Sequence, residues 1–124
     1  MKWQFSNDAP IYAQLIAQIK VGIVSGAFPP GERLPSVRDL ATEAGVNPNT
    51  MQRALAYLEE QGLATSNRTA GRMVTDDREK IQAVRMELAR TCMDAYLQGM
   101  KVLGFTEAEA RALLTEGEAE WKTI

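Results

Sequence analysis

The sequence contains no histidine and only one cysteine, Cys92. Without histidine, the chain lacks the usual general base, the Ser-His-Asp type of catalytic triad and the commonest metal ligand. A single cysteine excludes an internal disulfide and a metal site built from several cysteines. The sequence also shows no convincing pair of acidic residues and no glycine loop of the kind that binds phosphate. We therefore expect neither an enzyme nor a protein with a cofactor or structural metal.

The segments that direct a protein to or through a membrane are missing as well. No apolar run approaches the ~20 residues that a membrane-spanning helix needs. The first ten residues lack the basic-then-apolar pattern of a signal peptide. We therefore expect a cytoplasmic protein with no membrane partner. Its 124 residues are typical of one domain with an appendage.

The net charge of the chain is small, but the charged residues are unevenly distributed along it. The net charge of −2 argues weakly against a nucleic-acid partner. Residues 1–75, however, carry seven Lys/Arg and six Asp/Glu, a net charge of +1, whereas residues 76–124 carry seven and ten, a net charge of −3. The acidity therefore lies in the second part of the chain, and the first part can still present a basic face.

The stretch 34–63 predicts two short helices joined by a tight turn. Ser36 can cap the first helix, with Asp39 three residues later, and Gly45 suits the left-handed position after its end. Asn47 can cap the second helix, with Pro48 at the first helical position. Apolar residues recur at helical spacing along that second helix: Met51, Ala54, Leu55 and Leu58. Such a pair of helices is typical of a helix-turn-helix.

In a helix-turn-helix, the second helix inserts its N-terminal residues into the major groove of DNA. The residues at that position here are polar, and all can bind a phosphate or a base edge: Asn47, Asn49, Thr50, Gln52 and Arg53. The alternative is a plain helical hairpin whose polar face is only solvated. Taken alone, this stretch leaves both interpretations open.

The segments on either side extend the pattern. An amphipathic helix is expected over residues 10–25, after an N-terminal arm that packs on it. After the second motif helix, we predict a β-hairpin from two short strands, 63–66 and 72–75, around a tip that ends at Gly71. Arg68 and Arg72 bracket that tip. They could clamp a phosphate or the minor groove, or belong to a solvated loop.

The tail from residue 76 predicts two helices. Asp76 with Glu79 can cap a long helix that reaches about Leu103, and a second helix, capped by Thr106 and Glu109, continues to Trp121. The apolar residues of the long helix cover roughly 220° of its circumference, more than one partner surface can cover. We therefore expect a second copy of the chain to pack there. The residues expected in that dimer contact are Ile81, Val84, Leu88, Cys92 and Tyr96.

Two further interpretations of the tail remain. Its methionines could line a ligand site, although irregular core packing explains them as well. Two helices leave little room for a ligand pocket of ~300 Å³ or more within one subunit. Cys92 could make the protein redox-sensitive, but we expect it to be buried and inert.

The order of helix, helix-turn-helix and β-wing resembles the GntR family of bacterial transcription regulators. The residues that carry the resemblance are Pro10, Ile11, Tyr12, Gln14, Gly26, Pro30, Gly31, Glu32, Leu34, Pro35, Ser36, Arg38, Leu40, Ala41, Val46, Asn47, Thr50, Arg53, Ala54, Leu58, Glu59, Gly62 and Gly71. The family implies a winged helix that binds operator DNA as a dimer. The short tail looks like the YtrA subfamily, whose tail dimerises and whose members often repress transporter operons.

The resemblance also implies functional residues. The family's arginine at the start of the first motif helix matches Arg38, beside Ser36. The recognition-helix contacts match Asn49, Thr50 and Arg53. The glycine of the wing tip matches Gly71, but Arg72 and Met73 follow it where the family usually has a small residue and an aromatic.

The sequence thus predicts a mainly α fold with a small β-hairpin. Residues 1–75 form a winged helix-turn-helix, and residues 76–124 form a two-helix dimerisation tail. We expect a dimeric, sequence-specific repressor, with double-stranded operator DNA carrying an inverted repeat as its partner. The alternative is a protein-interaction module of winged-helix fold that does not bind DNA. Neither the operator nor any small-molecule effector can be identified from these residues.

Overall fold

The computed structural model describes residues 1–116. Five helices and a two-stranded sheet follow one another in that part of the chain: α1 (Ile11–Ser25), α2 (Val37–Ala44), α3 (Pro48–Glu60), β1 (Ala64–Asn67), β2 (Gly71–Val74), α4 (Arg78–Val102) and α5 (Glu107–Glu116). The predicted mainly α fold with a small hairpin is confirmed. The chain divides into two compact units, Met1–Met86 and the residues from Glu87 onward.

The helix-turn-helix forms through the predicted local hydrogen bonds. The Ser36 hydroxyl accepts the Asp39 backbone N–H at 3.1 Å, and Gly45 adopts a φ of 71° after the end of α2. The Asn47 side-chain oxygen accepts the Asn49 N–H at 2.8 Å, and Pro48 is the first residue of α3. These caps satisfy backbone N–H groups that a helix leaves unpaired at its start. Both motif helices therefore begin where the sequence predicts.

A single apolar core holds α1, α2, α3 and the hairpin together. Its fully buried side chains include Leu15, Ile19, Ile23, Leu40, Met51, Leu55, Leu58 and Leu63. Burying each aliphatic side chain of this size contributes about 1.5–3 kcal/mol. Because α3 places its apolar stripe in this core, its opposite, polar side stays at the surface.

The N-terminal arm packs on α1, as predicted. The Gln18 side chain exchanges two hydrogen bonds with the Gln4 backbone, at 3.0 and 2.7 Å, and Gln14 does the same with Ser6, at 2.9 Å each. The Trp3 indole N–H also donates to Glu43 on α2 at 3.0 Å. The arm therefore connects the first helix to the helix-turn-helix.

The hairpin is antiparallel and pairs Ala64 with Val74 and Ser66 with Arg72. Each strand is displaced by one residue from its predicted position, so the tip comprises residues 68–70. The connector before α2 adds a short third edge, because Arg33 forms a bridge with Met73 and the Leu34 N–H donates to the Arg72 carbonyl at 2.9 Å. That edge fixes the hairpin beside the start of α2.

The beginning of α4 corrects one prediction. Asp77, not Asp76, caps the helix: its side chain accepts the Lys80 N–H at 3.1 Å. The reason is that the Thr75 hydroxyl accepts the Asp77 N–H at 3.1 Å, which holds the chain extended for one residue more. Ile81 and Val84 lie half-buried against the core of the first unit. The first unit therefore includes the first turns of α4, beyond the functional division predicted after Thr75.

In the second unit, α5 folds back on α4, as expected. The Tyr96 hydroxyl donates to the Ala110 carbonyl at 2.6 Å, and Ala110 is buried. Thr106 and Glu109 form the predicted reciprocal cap, with bonds of 2.9 and 3.1 Å. The predicted extension to Trp121 lies outside the described residues. Among residues 1–116, even α4, the longest helix, is too polar to cross a bilayer.

Candidate nucleic-acid interface

The polar side of α3 is accessible along its first two turns. Asn47, Asn49, Gln52 and Arg53 are exposed, and Thr50 is half-buried. Asn47 uses its side-chain oxygen for the cap, which leaves its amide N–H₂ to donate elsewhere. The start of a helix also carries a partial positive charge. This edge of α3 can therefore meet either phosphates or base edges.

Arg53 has a partner that the sequence did not indicate. Its guanidinium carbon lies 4.5 Å from the centroid of the Tyr12 ring, on α1. Cations within about 6 Å of an aromatic face are attracted by the ring quadrupole. Among the residues that the structure describes, no carboxylate forms an ion pair with Arg53. Arg53 is thus positioned without its N–H donors being used by an acid.

Arg38 lies in the first turn of α2 and is exposed. In the described part of the chain it makes no ion pair, so the alternative of a structural pairing with a nearby carboxylate is not observed. Ser36 is also exposed, but its hydroxyl caps α2. The cap does not prevent that hydroxyl from donating its proton to a further acceptor.

A groove of about 240 Å³ between the hairpin and the start of α2 brings several predicted residues together. Ser36, Gly71 and Arg72 line it, together with Arg33. Gly71 has a φ of 84°, and a Cβ there would lie 3.3 Å from the Arg33 Nε. Arg33 was not among the predicted site residues. It ends the connector 27–33, which is rich in turn residues and has no periodicity from which to infer a site residue.

The two wing arginines differ in their surroundings. Arg68 is exposed at the tip, where the Asn67 side chain accepts the Thr69 N–H at 2.9 Å and fixes the turn. Arg72 instead lies on β2 with a side chain only 15% exposed, and its Nε is 3.5 Å from a Glu59 carboxylate oxygen. That Nε is buried and makes no hydrogen bond within residues 1–116. The Ser66 hydroxyl donates to the same carboxylate oxygen.

These contacts give Arg72 a partner that the sequence did not indicate. Arg68 does lie at the tip, but Arg72 faces α3 and is partly neutralised by Glu59. Glu59 therefore links both strands of the wing to α3. A DNA contact by Arg72 stays a prediction.

The second unit leaves several large apolar side chains exposed among its charged residues. Leu88 and Tyr96 are half-buried and Cys92 is exposed, so the prediction of a buried cysteine is wrong for the single chain. Large apolar side chains that remain exposed there are Met93, Val102, Leu103, Phe105, Leu113 and Leu114. An open cleft of about 710 Å³ lies between the helices, which exceeds the room expected in so short a tail.

The chain is similar to known regulators over most of its length. Residues 11–74 match the family model described as bacterial regulatory proteins, gntR family. The chain is 35% identical to the HTH-type transcriptional regulator YhcF of Bacillus subtilis over 86% of this chain and 88% of YhcF. It is 32% identical to the HTH-type transcriptional repressor YtrA of the same organism, over 77% of this chain and 78% of YtrA.

Two solved structures are similar as well. A GntR family transcriptional regulator from Listeria monocytogenes superposes with a TM-score of 0.80 at 34% identity, covering 90% of this chain and 98% of that one. The DNA-binding domain of AraR in complex with operator ORX1 gives a TM-score of 0.55 at 28% identity, over 60% of this chain and 96% of that one.

Proposed function

Because the chain belongs to the GntR family and is therefore a DNA-binding transcriptional regulator, we propose that it is a homodimeric repressor of YtrA-like type that binds an inverted repeat. Residues 1–75 bind DNA and residues 76–124 hold the two subunits together. The protein acts in the cytoplasm, where bacterial promoter DNA lies. A promoter of a transporter operon is the expected target, from the resemblance to the YtrA subfamily.

The observation that supports this proposal is the exposed polar side of α3, where the charge of Arg53 is not neutralised by a carboxylate of the described residues. Arg53 is exposed and, within the described residues, free of carboxylate partners, beside Asn49, Thr50 and Gln52. An arginine fork matches the paired acceptors on the major-groove edge of guanine. Arg38 on α2 is placed to contact a phosphate, since the first helix of the motif crosses the DNA backbone. Arg68 and the groove at Gly71 give the wing a second phosphate contact.

The dimer is supported by the apolar surface of the second unit. Leu88, Cys92 and Tyr96 lie on one side of α4, close to the exposed Met93. Large apolar side chains exposed near one another are typical of protein interfaces. A two-fold dimer places two recognition helices about 34–36 Å apart, one turn of DNA, which requires a palindromic operator. Ile81 and Val84 contribute less, because the core of their own subunit already covers part of them.

A fluorescence-anisotropy titration with the DNA upstream of the protein's own gene tests the proposal. Arg53→Ala should weaken operator binding by about 1–3 kcal/mol per half-site and relax the preference at one base position. Arg90→Ala is the matched control, because it removes an exposed arginine from the polar side of α4. It should bind as the wild type does.

The net charge of −2 is the reason to consider the alternative of a winged-helix module that binds a protein partner instead of DNA, and membership of the GntR family argues against it. That alternative would be supported if neither the operator fragment nor scrambled duplex bound at low salt. Unchanged affinity after Arg53→Ala would remove the assignment of α3 as the recognition helix.

A further inference from the structure

The contact between Tyr12 and Arg53 joins two elements that are far apart in sequence. Tyr12 is the second residue of α1, and Arg53 is in the second turn of α3. The ring of Tyr12 is half-buried and packs against the apolar core, whereas Arg53 is exposed. The ring is thus held by the same core that fixes α3. It provides a rigid platform under a long, flexible side chain.

An aromatic platform suits an arginine that must bind something else. An ion pair with a carboxylate would occupy N–H donors of the guanidinium, and DNA binding would have to break it. The face of a ring attracts the cation without accepting its in-plane N–H bonds. Arg53 can therefore be ordered before DNA arrives and still present its donors. Ordering such a side chain in advance reduces the entropy lost on binding.

We infer that Tyr12 is a positioning residue for Arg53 and that it determines how strongly the protein discriminates its operator from other DNA. This inference rests on the proposed DNA-binding role of Arg53. Tyr12 itself touches no base in this scheme. Its contribution should therefore appear only where Arg53 reads sequence, and it should disappear when Arg53 is absent.

Two substitutions separate the ring from its hydroxyl. Tyr12→Phe keeps the aromatic face and should bind operator and scrambled duplex as the wild type does. Tyr12→Leu keeps an apolar side chain in the core but removes the π face. It should lower operator affinity about three- to tenfold per half-site and leave affinity for scrambled duplex within about twofold. The salt dependence should not change, because no phosphate contact is lost.

The control for lost packing is Phe28→Leu. Phe28 is another half-buried aromatic side chain on the same core, but it packs against Gly22, ten residues further along α1. Unfolding of each variant is followed by circular dichroism at one protein concentration. If Phe28→Leu lowered operator affinity as much as Tyr12→Leu, the effect would belong to general packing and the inference would be overturned.

A double-mutant cycle provides the decisive measurement. In an Arg53→Ala background, Tyr12→Leu should cause no further loss, because the side chain that it positions is gone. Additive losses would mean that Tyr12 acts without Arg53. A uniform loss with Tyr12→Phe on all duplexes would point to a phosphate contact by the hydroxyl. Either outcome would overturn the inference.

An NMR readout tests the contact without DNA. The ring current of Tyr12 should shift the side-chain resonances of Arg53 upfield in the wild type and in Tyr12→Phe, and the shift should vanish in Tyr12→Leu. If the wild type bound its operator specifically but showed no such shift, only the inference would fail. If it bound no duplex specifically, the proposed function would fail instead.

Discussion

Gly22 offers a sharp test of how α1 is held in the winged-helix unit. It lies on the buried side of α1, and a Cβ there would lie 2.6 Å from the Phe28 Cδ2 and 2.8 Å from the Met1 Sδ. The Phe28 ring cannot retreat freely, because it packs on the core and its backbone N–H donates to the Gly22 carbonyl at 2.9 Å. Gly22→Ala therefore forces a shift of the connector between α1 and α2.

The magnitude follows from two opposing terms. Overpacking of this kind costs about 1–3 kcal/mol. Replacing a glycine within a helix by alanine stabilises the helix by about 1 kcal/mol. The free energy of unfolding should fall by up to about 2 kcal/mol, with about 1 kcal/mol as the central expectation. For a unit of this size, that corresponds to a few degrees in Tm.

The assay is urea unfolding followed by circular dichroism, at one protein concentration because association changes apparent stability. Gly99→Ala is the matched control: Gly99 lies within α4, and a Cβ at that position would meet no neighbouring atom within 4 Å among the described residues. It should stabilise the protein. Phe28→Val removes the clashing ring atoms, so adding Gly22→Ala to Phe28→Val should also stabilise. If Gly22→Ala alone stabilised the wild type, the close contact with Phe28 would be refuted.

Three further predictions concern DNA binding, assembly and the N-terminal arm. Arg38→Ala should weaken binding to all duplexes alike. In titrations at several salt concentrations, the slope of log affinity against log salt should flatten by about one unit per lost phosphate contact. A loss of affinity confined to the operator would indicate a base contact instead. Leu88→Asp or Tyr96→Asp should convert a dimer to monomers by burying an unpaired charge, and light scattering checks this; a wild type that is monomeric at micromolar concentration would contradict the interface. The Trp3 N–H bond lowers the pKa of Glu43 below its ordinary value of 4.5, and the Met1 amino group lowers it further. These two contacts therefore stabilise the arm fully above pH 4.5. The stabilisation is lost as the pH falls through the lowered pKa of Glu43. Trp3 fluorescence in a Trp121→Phe background should report this release, and Glu43→Gln should remove its pH dependence.

Features that depend on hydrogen bonds between residues close in the sequence could be predicted from the sequence alone. Ser36 and Asn47 cap helices through bonds to residues two or three positions later, so both helix starts were predicted correctly. Asp76 and Asp77 are both aspartates, so residue type alone does not decide which of them caps α4. The choice between them depends on Thr75, whose N–H donates to the distant Leu63 carbonyl at 2.9 Å and whose hydroxyl accepts from Asp77. That long-range bond has no local sequence signal.

The wing shows why side-chain direction was harder to predict than the hairpin itself. Successive residues of a strand point to opposite faces, so the pairing register determines which side chains share a face. The ends of each strand lie one residue closer to the tip than predicted, which leaves the register unchanged, with Arg72 opposite Ser66. Both residues meet Glu59, which neither strand pattern could indicate. The contact of Tyr12 with Arg53 was missed for a similar reason, because about forty positions separate the two residues.

Arg53 and Arg72 have opposite kinds of neighbour, and the difference affects how each could bind DNA. Arg53 rests on an aromatic ring, which orders it and leaves its donors available. Arg72 lies beside the Glu59 carboxylate, which offsets its charge before any DNA is present. A phosphate bound by the remaining N–H groups of Arg72 would place the negative DNA backbone close to the Glu59 carboxylate. We therefore expect DNA contacts near the wing to come from Arg68 at its tip and Arg33 in the groove, with Glu59 and Arg72 holding the wing against α3.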